Sequence, residues 1–126
     1  MLRPRWLTLG AVAVGAAAVA LPASSGAGEA RRAVPKVTVA DDFFAPDAVK
    51  IPKGGKVKWV WDDLNTDTHN VVVTSQRPEG VKKSDYHSES AAVATTYAPR
   101  FKIPGTYGFV CTFHKGTMRM TVKVKK

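Results

Sequence analysis

The chain has 126 residues, is 44% hydrophobic and carries a formal net charge of +9. One cysteine excludes an internal disulfide framework. The positive charge does not point to nucleic acid, because the lysines alternate with apolar residues along strand-like segments instead of forming one run.

Taken in order, the chain opens on Arg3 and Arg5, followed by an uncharged apolar run from Leu7 to Leu21 that Pro22 breaks. Small residues follow from Ala23 to Gly28. This is the layout of a secretory signal peptide, so residues 1–27 are read as a signal cleaved after Ala27 or Ala23. The apolar run is shorter than the ~20 residues a spanning helix needs. The mature chain is therefore expected in the periplasm or outside the cell, with membrane association only if the segment stays uncleaved. What remains, about 100 residues, makes one domain. Residues 28–35 read as a flexible leader and 36–126 as the folded domain.

Residues 36–40 form a short alternating strand, and 41–46 a turn that buries aromatics. Residues 48–51 are extended, and Pro52-Lys53-Gly54-Gly55 turns the chain. In 56–61, Val57, Trp59 and Trp61 share one face and two lysines the other, the period of a half-buried strand. Residues 62–68 are a polar loop and 69–74 a more apolar strand. The polar stretch 75–92 has room for a short helix. Residues 95–103 are extended, Pro104-Gly105 turns them into 106–111, and 118–124 alternates again. Short strands at turn-marked spacing, with no long helical period, predict an all-β protein, an antiparallel β-sandwich.

The chemistry is concentrated in residues 109–118. There Cys111, His114 and Met118 place a thiolate, an imidazole and a thioether on a single turn between two strands. Thiolate and thioether are soft donors that favour copper, and a trigonal His₂Cys site with a long axial Met is the recipe for a copper electron-transfer centre. The second imidazole must come from elsewhere, and His69 is the candidate. Alone, His69 reads as a structural histidine and Cys111 as a small buried hydrophobe. Together, in a chain read as exported, they read as a metal set, because a free thiol in an oxidising compartment is a liability. His87 lies in the polar stretch with no soft neighbour and reads as a surface histidine.

The ordered pieces Phe44-x-Pro46, Pro52-x-Gly54-Gly55 before Val57-x-Trp59, His69-Asn70-Val71-Val72, Pro104-Gly105-Thr106-Tyr107 and Cys111-x-x-His114 followed by Met118 cover nearly all of 36–125. In them the chain resembles the cupredoxins, the small blue copper proteins, in their plastocyanin, pseudoazurin and amicyanin branch. The resemblance implies a Greek-key sandwich holding one type 1 copper ion on His69 Nδ1, Cys111 Sγ and His114 Nδ1, with Met118 as the axial thioether. It also implies that Asn70 ties the two ligand loops together. The Cys-to-Met spacing falls between those of amicyanin-like and plastocyanin-like members. Aligning Val122 and Val124 with the family's last strand puts Met118 in the ligand column and makes Met120 an inward core residue, the second candidate for the axial place.

The function implied is that of an electron carrier, not an enzyme. Protein redox partners would dock transiently where His114 reaches the surface, near Phe113, Pro46 and Gly116. The mildly basic surface would favour acidic partners or anionic membranes. A monomer is expected. The alternative reading is an extracytoplasmic copper-binding chaperone with no electron-transfer role.

Overall fold

The computed structural model describes residues 33–126; the expected signal segment (1–27) and residues 28–32 of the expected leader lie outside the described residues. The strands are β1 (Lys36–Ala40), β2 (Phe43–Ala45), β3 (Ala48–Pro52), β4 (Lys58–Trp61), β5 (Val72–Val73), β6 (Thr96–Tyr97), β7 (Gly105–Val110) and β8 (Arg119–Lys125). They make two four-stranded sheets, β2-β1-β4-β6 and β3-β8-β7-β5, whose inner faces share one core. The protein is thus the expected all-β sandwich.

Alternation decides which face each strand buries. In β4, Trp59 and Trp61 are buried and Lys58 is exposed, while in β8 Met120, Val122 and Val124 point inward between Arg119, Lys123 and Lys125. Between the sheets, Trp59, Tyr86, Phe101, Tyr107 and Phe109 pack as one aromatic cluster, with Tyr86 stacked on Phe101 at 4.8 Å between centroids. Gly105, which opens β7, has φ 141°, and a Cβ there would lie 2.5 Å from Pro78 Cγ. Only glycine turns the chain at that point.

Within this sandwich both sheets are mixed, where the sequence led to antiparallel pairing. β1 pairs with β4 in parallel, Val37 opposite Trp59, and β3 pairs with β8 in parallel, Val49 opposite Val122. The chain leaves β2 for the second sheet as β3 and then returns as β4 beside β1, so two strands meet running the same way. Period-two patterning fixes faces but not partners. Two expected strands are also shorter in fact. Of 69–74 only Val72–Val73 forms a ladder, because Val71 N–H donates to the Ser88 hydroxyl and His69 bridges to Ala91 alone. Of 95–103 only Thr96–Tyr97 does, with Lys56 and Arg100 forming an isolated bridge. The stretch 75–92 holds one 3₁₀ turn, Lys83–Asp85. Among the described residues no helix is long and apolar enough to cross a membrane.

These directions place the site. Parallel strands β1 and β4 both run toward one end of the sandwich, and β7 ends and β8 begins there. The loops after β1 and β4 therefore meet the loop between β7 and β8.

Candidate metal centre

Cys111, His114 and Met118 come from the β7–β8 loop, which closes on itself. His114 N–H donates to the Cys111 carbonyl at 3.1 Å, Met118 N–H to the His114 carbonyl at 3.0 Å, and Cys111 N–H back to the Met118 carbonyl at 3.1 Å. Two consecutive tight turns thus bring residues three and four apart round to a common point. His69 is held there from the other side: its N–H donates to the Ala91 carbonyl at 2.9 Å, and its own carbonyl accepts from the Trp61 indole at 3.2 Å.

The structure brings three of the expected site residues together. Cys111 Sγ lies 3.9 Å from His69 Nδ1 and 3.6 Å from His114 Nδ1, and the two imidazole rings tilt together at 5.0 Å. All three donor atoms fall within 4.8 Å of one another. Cys111 and His69 are fully buried, whereas the side chain of His114 is 23% exposed. One thiol and two imidazole Nδ1 atoms facing a common centre are the soft and borderline donors copper takes, so the residues present fit that ion.

Met118 is fully buried at the end of the same loop. Met120, the second axial candidate, turns its sulfur elsewhere: Sδ accepts the Trp59 indole N–H at 3.1 Å in the core. Asn70, nearly buried, joins the two ligand loops through both ends of its amide. Its Oδ1 accepts Thr112 N–H and its Nδ2 donates to Thr112 Oγ1, each at 2.8 Å. His87 is exposed, its backbone bridging to Val72, and stands outside the donor group.

Asp41, at the turn after β1, is a neighbour of the donor group that sequence reasoning missed. Its Oδ1 lies 2.8 Å from His69 Nε2, the ring nitrogen facing away from the cysteine. A carboxylate can only accept there, so the proton sits on Nε2 and the Nδ1 lone pair is left for the metal. Asp41 is itself fixed, accepting Thr66 N–H and Thr66 Oγ1–H at 3.0 Å and Asp67 N–H at 3.2 Å. The backbone hydrogen bond from Thr66, then the ring hydrogen bond from His69, hold its carboxyl well below the usual carboxylate range. Asn65 reinforces the clamp, its amide donating to the carbonyls of Val39 at 2.8 Å and Ala92 at 3.0 Å. The one signal that could have found Asp41 was the need of a buried ligand histidine for an acceptor on its far nitrogen. The sequence offers several acids for that place.

The exposed edge of His114 has a different setting. Its Nε2 stands 3.8 Å from Asp42 Oδ1 and 3.8 Å from Asp67 Oδ2, both carboxylates mostly in water. Pairs so exposed contribute little to stability.

Comparison with known proteins agrees with this geometry. The family described as copper binding proteins, plastocyanin/azurin family, matches residues 35–125. Among solved structures, a P52G mutant of amicyanin in the reduced Cu(I) form at pH 4 superposes with a TM-score of 0.61 at 22% identity, over 73% of this chain and 82% of that one. A purple cupredoxin from Nitrosopumilus maritimus gives 0.59 at 20% identity, over 72% and 99%. The copper-containing nitrite reductase of Thermus scotoductus SA-01 gives 0.63 at 22% identity over 75% of this chain, which spans only 23% of the reductase.

Proposed function

We propose an electron-carrying role for this chain, which belongs to the plastocyanin/azurin family of copper-binding proteins. The observation that carries the reading is the fully buried Cys111 sulfur flanked by two imidazole Nδ1 atoms, only one of whose rings reaches solvent. Copper bound there supplies a one-electron Cu(II)/Cu(I) couple. His69, Cys111 and His114 would hold it, with Met118, buried at the end of the same loop, as a further weak donor.

The surrounding residues keep the donors still. Asn70 locks the two ligand loops and Asp41 locks the His69 ring, so the donor atoms would have little to move when a bound copper changes oxidation state. Burial of Cys111 keeps water from the sulfur, and His114 is the port through which the electron leaves. Partners dock there briefly over a small area, as weak redox encounters do. The reading includes export, with residues 1–27 as the address and copper protecting the lone thiol in an oxidising compartment. It is a carrier's function, and the reaction of the nitrite reductase, of which this chain spans a minor part, is not carried over.

A visible spectrum of the mature domain titrated with Cu(II), then reduced with ascorbate, tests it. The expected result is an intense blue thiolate-to-copper band, saturating at one equivalent, bleached by reductant and restored by oxidant. A weak band with tight Cu(I) binding would replace the carrier with a copper chaperone.

A further inference from the structure

We infer that the copper end of this protein docks a redox protein presenting a basic, lysine- or arginine-rimmed face, the reverse of what the chain's net charge of +9 selects. The inference rests on the electron-carrier reading. Asp42 and Asp67 bring the ends of the loops after β1 and β4 to the exposed edge of His114, and in or beside these loops and the ligand loop three apolar side chains face water: Phe43 is 51% exposed, Leu64 85% and Phe113 55%. The first two loops also carry carboxylates. Asp42 and Asp67 stand at the imidazole edge itself, and Asp62 and Asp63 lie on the loop that carries Asp67. An apolar centre inside a charged rim is the anatomy of a transient interface. Positive charge at this end comes from Lys115 on the ligand loop and Arg119 at the head of β8, whose guanidinium donates to the Lys115 carbonyl.

The lysines that dominate the sum lie elsewhere. β1 and β4 begin side by side with Lys36 opposite Lys58, at the end away from the copper. Lys56 and Arg100 bridge there, and β8 ends there at Lys125. β1 and β4, five and four residues long, set their starting lysines about 13–17 Å from the copper end, with Lys36 sharing a hollow on the outer sheet face with Asp62 and Asp63. That distance exceeds the Debye length of ~8 Å at physiological ionic strength, so a partner at His114 feels the local acids and not the distant lysines. Residues 33–35 also enter at the lysine end, lining a hollow with Lys50, Pro52 and Lys125.

Stopped-flow oxidation of the Cu(I) protein by two small probes of opposite charge, tris(phenanthroline)cobalt(III) and ferricyanide, reads the local sign. Between about 10 mM and about 200 mM salt, the rate with the cobalt cation is expected to fall about 3- to 10-fold, and that with ferricyanide to rise or stay level. The double variant Asp42→Asn/Asp67→Asn should lose most of the cobalt salt dependence with the blue band unshifted. Opposite slopes, governed by net charge, would overturn the inference. A second readout needs no electron transfer: amide shifts of the Cu(I) protein on adding a cytochrome c with a lysine-rimmed haem edge. Shifts confined to 41–43, 62–67 and 113–115 support the docking face even if no electron passes, a result that would strike only the carrier reading. Shifts confined to 33–36, 53–58 and 125–126 overturn it.

Discussion

Replacing Asp41 by Asn isolates what a carboxylate behind a copper ligand does. The swap keeps the shape and one acceptor for His69 Nε2–H but removes a full negative charge 2.8 Å from that nitrogen. An imidazole is about 2 Å across its two nitrogens and its bond to a metal is about 2 Å, so the charge lies roughly 7 Å from an ion on Nδ1. With an effective dielectric of ~20, one charge at that distance shifts a one-electron couple by about 100 mV. The carboxylate is 32% exposed, and solvent screening brings the expected shift nearer to ~50 mV. The sign is fixed: the negative charge favours Cu(II), so Asp41→Asn raises the reduction potential. Cyclic voltammetry on the variant, beside Asp42→Asn as a control with the same charge change and no hydrogen bond to a ligand, measures it. Asp42 is 66% exposed and 3.8 Å from His114 Nε2, so its effect should be a small fraction of the first. Equal shifts in the two variants, or a fall in potential for Asp41→Asn, would refute the reasoning.

The two methionines should separate cleanly. Met118→Leu keeps copper bound and raises the potential by removing a donor to Cu(II), whereas Met120→Leu leaves the blue band in place and lowers stability by about 1 kcal/mol, because the Trp59 indole loses its acceptor. A band moved by Met120→Leu alone would reverse the axial assignment. Gly105→Ala should lose about 2 kcal/mol or more in urea unfolding, since φ is 141° and the new methyl meets Pro78. Stability should also fall in alkali. Burial, then the negative charge of an ionised Tyr86, pushes Tyr107 from 10.0 up to about 12. The folded state therefore holds that proton more tightly than the unfolded one. The stability it brings is complete below pH ~10 and is lost as pH rises toward ~12. Tyr107→Phe should flatten that decline, and an unchanged slope would assign it to other groups, Tyr97 among them.

The sequence was most legible where chemistry is scarce. One cysteine, two usable histidines and a methionine on a turn leave few ways to build a soft-donor site, and the fold brings three of those side chains within 4.8 Å. Alternation likewise named the buried faces of β4 and β8. It could not name strand partners, because a period of two is the same in parallel and antiparallel ladders. Nor could it find Asp41, Asn65 or Ser88, whose roles are hydrogen bonds across 17 to 28 positions of chain. Polar loop residues of that kind look alike until the fold selects one.

Charge shows the same limit most sharply. A total of +9 is true of the chain and misleading about its working end. The parallel pairing of β1 and β4 carries Asp41 and Asp42 to one end and leaves Lys58 at the other. The feature that composition could not reveal, two strands running the same way, thus sorts the charges into opposite ends. On the proposed carrier role, docking at His114 answers to the charge within a Debye length of that histidine, where Asp42 and Asp67 stand 3.8 Å from its Nε2.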